Sequence, residues 1–295
     1  IDELLGIEID NVSEEQKQEL EALRLSRLDY LEEIERQRIE REQALQFTNL
    51  RKQIESSKTT TEIDKIIIEG VNDQQLEELN EIKQEVRDII AEDEEITEQV
   101  KKAEKRRKKH SGPEVFSIDP ESEFRTRSKS YEALDGLLRF SLCWNNMNDL
   151  DLIVKTPKGE IIHRAKRKSS CGGQLDLEMN SQPQSKSALE NIVWLKEKTP
   201  PEGAYNVFIW HRKRHQKLRK SDPTNYTLRV RVGADYYQYI GQTSYGDKLK
   251  QIATIDVPDK TTLFERLESE LEIYRNQRTD ILEVQNENDL IKFLN

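Results

Sequence analysis

Carboxylates two residues apart are the sharpest chemical feature of this chain. Asp149 and Asp151 alternate with Leu150 and Leu152. In an extended strand alternate side chains share a face, so both acids lie opposite the leucines. Asp176 and Glu178 repeat the arrangement in a second segment, followed by Asn180, and Glu190 with Asn191 opens a third. Carboxylate and amide oxygens converging from several strands are the ligands calcium takes, roughly six to eight at a time. On that reading Asp149, Asp151, Asp176 and Glu190 form a candidate calcium site. No EF-hand loop pattern accompanies them. The same groups also serve to cap turns, to pair with nearby Lys and Arg, or to bond strand ends through backbone groups. A hydrolytic pair drawn from Asp149, Asp151 or Glu190 needs a pocket and one raised pKa. The residue pattern displays neither, and no catalytic residue is expected.

The remaining reactive side chains are sparse. His211 and His215 are four residues apart beside a Lys/Arg cluster. That spacing suits zinc on a helix face, but a β-hairpin surrounds them and no third ligand follows. His110 and His163 stand alone. Cys143, next to Trp144, reads as a packing residue. Cys171 lies in a glycine turn; no CxxC pattern exists, and a single disulfide between the two cysteines stays open.

Two basic tracts remain. Lys101–His110 holds seven Lys/Arg opposed by Glu104, and Trp210–Lys220 holds six Lys/Arg and two His. Lys105, Arg106, Arg107, Arg212, Lys213 and Arg214 are the candidate contacts to a partner or a nucleic acid, because Lys and Arg supply the sequence-independent part of phosphate affinity. Tyr236, Tyr237 and Tyr239 add stacking surface. Against this, the basic and acidic parts of the chain can simply complement each other. No Gly-rich phosphate loop leads into a helix, so nucleotide hydrolysis is not expected.

The charges are segregated. Residues 1–100 carry 12 Lys/Arg and 29 Asp/Glu, a net of −17, whereas residues 137–258 carry 20 and 12, a net of +8. The chain's net charge of −10 therefore describes neither half. Charged residues make up 35% and the hydrophobic set 34%, so much of the chain must be solvated surface. No apolar run approaches the ~20 residues of a membrane helix. Cysteine usage suggests a reducing, cytoplasmic setting. The chain opens on Ile1, so the lack of a leader pattern carries no weight.

These residues must be positioned by two kinds of element. Residues 1–110 read as an acidic helical or coiled-coil arm. Ser13 with Gln16 resembles a capping box, and Leu20, Leu23, Leu28, Leu31, Ile34 and Ile39 fall near helical spacing without a strict heptad. Further helices are expected over Leu50–Ser56 after Thr48, over Glu62–Glu69 after Thr61, and over Gln74–Ile90 after Asp73, forming a small bundle. Residues 111–136, with Gly112, Pro113 and Pro120, read as a linker. From Leu137 the apolar period becomes two: Leu138, Phe140, Leu142 and Trp144; Leu150, Leu152 and Val154; Leu175, Leu177 and Met179; Tyr205, Val207 and Ile209; Tyr226, Leu228, Val230 and Val232. Further strands are expected at 160–164, 190–194, 236–241 and 251–257. About nine short strands separated by Gly and Pro turns predict an antiparallel, jelly-roll-like β-sandwich over 137–258. Residues 259–295 read as a C-terminal helix, capped by Thr261 or Thr262, and a tail. The fold class is thus α+β and multidomain.

The sandwich segment resembles a known family. The residues that carry this are Leu142-Cys-Trp144, Asn148-Asp-Leu-Asp-Leu152, Thr156-Pro-Lys-Gly-Glu160, Gly172-Gly-Gln-Leu-Asp176, Glu190-Asn-Ile192, Pro201-Glu-Gly-Ala-Tyr205 and Ser244-Tyr-Gly-Asp247. In order and spacing they resemble the YfaP-like bacterial domain of unknown function, which often sits beside von Willebrand A domains, coiled coils or ATPase modules. The resemblance covers roughly residues 137–257. It implies a β-sandwich used as an interaction module, with no established activity.

Together these features suggest a non-enzymatic adaptor or scaffold, an accessory subunit of a larger bacterial system, without a cofactor unless calcium binds. It would engage a protein partner, or a second copy, through its helices and its charged sandwich loops. The alternatives are a nucleic-acid-associated accessory protein using 101–110 and 211–220, and a calcium-dependent binding module.

Overall fold

The computed structural model describes residues 13–106, 114–116, 123–182, 185–195, 197–215, 222–263 and 265. The chain divides at residues 94 and 95 into two compact units.

The first unit is helical. Helix α1 (Glu14–Ser56) begins in the expected capping box, with the Gln16 amide donating to Ser13 Oγ and the Ser13 amide to Gln16 Oε1. It runs unbroken through Thr48, whose hydroxyl donates back to the Ala44 carbonyl and caps nothing. Helix α2 (Thr60–Asp64) is capped by Thr59 rather than Thr61 and is shorter than expected. Helix α3 (Asp73–Lys105) is capped by Asn72 rather than Asp73: the Gln75 amide donates to Asn72 Oδ1 at 2.9 Å. It continues fifteen residues past the expected end at Ile90. The core is Leu50, Ile54, Ile63 and Leu79, flanked by Phe47, Ile66, Ile68, Val71, Ile82 and Val86. Short or charged helices of this kind need such shared burial to be stable.

The second unit is a two-sheet antiparallel β-sandwich. Its strands are β1 (Glu114–Phe116), β2 (Leu138–Trp144), β3 (Asp149–Lys155), β4 (Ile161–Ile162), β5 (Gly173–Leu177), β6 (Ala188–Trp194), β7 (Gly203–Lys213), β8 (Thr224–Val232), β9 (Asp235–Thr243) and β10 (Lys250–Val257). One sheet has the order β1-β9-β8-β2-β6-β5 and the other β10-β7-β3-β4. The alternating residues that predicted the strands fill the space between the sheets. Phe140, Trp194 and Tyr205 pack at its centre, with ring centroids 5.3–6.1 Å apart. Gly173 is required there: a Cβ at this position would lie 2.3 Å from the Trp194 ring.

Both outer faces are partly covered. The last turns of α3 place Ile96, Val100 and Ala103 on Ile153, Ile161, Phe208 and Leu249, and Lys155 Nζ reaches Glu104 at 2.7 Å. This explains why β3 is buried on both faces. On the other sheet, helix α4 (Glu123–Ser130) lies in the stretch read as linker. From it Arg127 donates to the carbonyls of Trp144 and Ala188, and from the turn after it Tyr131 donates to that of Ser187. The final helix starts after Asp259, whose carboxylate accepts from the Thr261 and Thr262 amides; neither threonine is the cap. Residues 266–295, including most of the expected C-terminal helix and its tail, lie outside the described residues. No helix among the described residues is long and apolar enough to cross a membrane.

Candidate functional site: a buried acidic corner

Glu190 is an acid in phase with the core. It falls in step with Ala188, Ile192 and Trp194 on β6 and stands opposite Leu142 of β2, so its side chain points between the sheets. Strand β3 pairs with β4 only at Val154 and Lys155, which leaves the edge of β3 open at Leu152. Glu190 fills that opening: its Oε2 accepts the Leu152 amide at 2.5 Å.

Asp149 and Asp151 are on β3, and the cations nearest to them come from β7 and from the turn after β4. Arg212 Nη1 lies 3.7 Å from Asp151 Oδ2, and its guanidinium also stacks over Trp210. Glu178, just after β5, lies 3.6 Å from Arg164 and 3.2 Å from Arg167. Asp151 is 2% exposed and Glu190 1%. Asp149 Oδ1, both oxygens of Asp151, Glu178 Oε1 and Glu190 Oε1 are buried and accept no hydrogen bond from the described residues.

Burial is the first cause of the unusual electrostatics. It raises Asp149 to about 7, with Glu178 adding to the shift and Arg164, Arg212 and Lys213 opposing it. Burial and the neighbouring Asp149 push Asp151 up to about 8, against Arg212 and Arg164. Burial and Asp151 hold Glu190 well above the usual carboxylate range, although the Leu152 amide favours its charged form. The raised pKa that the residue pattern could not display is therefore present.

Of the four candidate calcium ligands the structure gathers three: Asp149, Asp151 and Glu190. Asp176 is diverted. A bulge between Leu175 and Leu177 breaks the alternation of β5, and Asp176 Oδ2 accepts from the Leu134 amide at 2.7 Å and from Asn191 at 3.1 Å. Glu178 joins the corner instead. Asn180, also read as an oxygen donor, uses its amide nitrogen to bond the carbonyls of Asn146, Asn148 and Ser185. Among the described residues no three His, Cys, Asp or Glu side chains are arranged to hold a metal ion.

The other candidates are dispersed. His211 is buried beside the Thr243 carbonyl, and burial lowers its pKa; His215 contacts the Asn180 carbonyl at 2.7 Å. Both cysteines are free thiols, Cys143 buried and Cys171 partly exposed. Lys105, Arg106 and Lys213 are exposed, and Arg214 is partly exposed. Arg212 is turned toward Asp151, and Arg107 lies outside the described residues.

Two contributors were not selected from the residue pattern, Glu178 and Arg164. For Glu178 the signal is its two-residue spacing from Asp176, which a bulge converts into a choice of one. For Arg164 no sequence signal distinguishes it from its basic neighbours.

No family model, curated protein or solved structure matches this chain.

Proposed function

We propose that the chain is a non-enzymatic adaptor that engages a protein partner through α1 and presents the charged sandwich loops as a second recognition surface. The observation that carries this reading is the surface of α1 before Phe47. No residue there is buried, and Leu20, Leu23, Leu25, Tyr30, Ile34, Ile39 and Leu45 are all 43–64% exposed. Leu23, Tyr30 and Ile34 are separated by seven and four residues, which returns them to one side of a helix. An apolar line along a solvated helix marks a contact surface more readily than a core. The resemblance of residues 137–257 to the YfaP-like bacterial domain supports the same view, since it implies an interaction module. The nucleic-acid reading is weakened by Arg212, which faces Asp151.

The test uses the intact chain and the triple variant Leu23→Glu, Tyr30→Glu, Ile34→Glu as baits in cell extract. The variant should lose the partner that the intact chain retains, while its helical circular-dichroism signal and melt are unchanged. Equal retention by both, or no retained protein at all, overturns the reading.

A further inference from the structure

Helix α1 turns one face to its own core and leaves another apolar line on the opposite side. Ile34 and Ile54 are twenty residues apart, which at 3.6 residues per turn sets them about 200° apart around the helix. Ile54 is buried with Leu50, Ile63 and Leu79, whereas Ile34 is exposed. The exposed line is periodic. Leu20, Arg27, Ile34 and Arg41 recur every seven residues, and so do Leu23, Tyr30, Gln37 and Ala44, three positions later. This is the spacing at which two helices share a seam, and polar residues within a seam fix register and orientation.

Charge is spread unevenly along the same helix. Glu14–Glu35 holds eight acids and three bases, a net of −5, and Arg36–Lys52 holds two acids and five bases, a net of +3. A parallel copy would set −5 against −5. An antiparallel copy sets −5 against +3, so the surface complements itself across a two-fold axis. The side chains of Glu19, Glu40 and Arg41 make no ion pair among the described residues, although their neighbours Arg24, Arg36 and Arg38 do.

We infer that α1 pairs antiparallel with α1 of a second copy of this chain, through the seam Leu20, Leu23, Tyr30 and Ile34. This rests on the reading of α1 as a contact surface and names its occupant. Setting Tyr30 opposite Ile34 sets Leu20 opposite Ala44, so the overlap ends before Phe47, where the core that α1 shares with α2 and α3 begins. In that register Arg41 stands opposite Leu23, one turn from Glu19 of the other copy. Arg27 stands opposite Gln37, one turn from Glu33 and Glu40. Each arginine covers the seam with its alkyl stem and reaches the facing carboxylates with its guanidinium.

Light scattering on the eluting full chain at high micromolar concentration tests this. The wild type should show twice the chain mass. Arg41→Glu and Glu19→Arg, both at exposed positions, should each shift the mass toward that of one chain at the same concentration. The double variant Glu19→Arg, Arg41→Glu should recover the dimer, because an antiparallel copy brings these positions within one turn of each other and a parallel copy keeps them apart. A monomeric wild type overturns the inference. So does a dimer that neither single variant weakens, or a loss that the double variant does not recover. A monomeric wild type that still captures another protein, lost in the triple variant above, would overturn self-pairing while leaving the adaptor reading in place.

Discussion

The arm and the sandwich spend charge in opposite ways. On α1, Arg38 reaches Glu35 and Glu42, Arg36 reaches Glu33, and Arg24 reaches Glu21, all along the surface of one helix. Most of its large apolar residues before Phe47 are left in solvent. In the sandwich, fewer acids are present, yet Asp149, Asp151 and Glu190 are buried and paired incompletely. Charge density thus indicates which half is solvated, but energetic weight follows burial. An exposed ion pair is screened and costs side-chain entropy, whereas an unpaired buried carboxyl must change its protonation state.

The strongest way to sharpen this contrast is to open the sandwich core while leaving its charges alone. Trp194→Ala removes the ring that touches Phe140 and Tyr205 and leaves a cavity between the sheets. We expect a loss of about 3–5 kcal/mol, measured by urea unfolding through the fluorescence of Trp144 and Trp210. An effect below about 1 kcal/mol would mean that the aromatic centre does not hold the sheets together.

Overfilling the same place should do less. In Gly173→Ala the new Cβ meets the Trp194 ring at 2.3 Å and Ile162 at 2.6 Å, so the strand must shift. The expected cost is about 1–3 kcal/mol. A neutral result in the same unfolding assay would show that β5 yields freely, and the bulge after Leu175 would be the place to look for that freedom.

The legible and illegible parts of the molecule divide along physical lines. Strands were readable because period-two alternation is imposed by burial of one face; β8 follows it residue by residue. Helix ends were less readable because several polar residues compete for each cap: Asn72 beside Asp73, Thr59 beside Thr61, Asp259 beside Thr261 and Thr262. The length of α3 was hidden by the acidic run Glu92–Glu95, although Ile96, Val100 and Ala103 keep helical spacing beyond it. For the site, spacing put Asp149 and Asp151 on one strand, and both are buried there. It could not foresee that a bulge would send Asp176 to Leu134 and Asn191. The inward aim of Glu190 was legible in principle, from its phase with Ile192 and Trp194, but only once those residues are known to form the core.

The smallest effect should come from the most conspicuous ion pair in the arm. Arg38 is held above its ordinary pKa by its hydrogen bond to Glu35 and by the charges of Glu35 and Glu42, yet all three side chains are about half exposed. Solvent screening therefore removes most of what the geometry suggests. Arg38→Ala should leave the tryptophan-monitored midpoint unchanged. It should lower the helical circular-dichroism signal slightly at low salt, with the difference vanishing as salt rises, as expected for pairs spaced three and four residues apart. A loss that persists in high salt would show that Arg38 contributes through its alkyl chain packed along the helix. In that case the arm carries part of its stability in contacts, and its contrast with the sandwich narrows to the protonation of the buried corner.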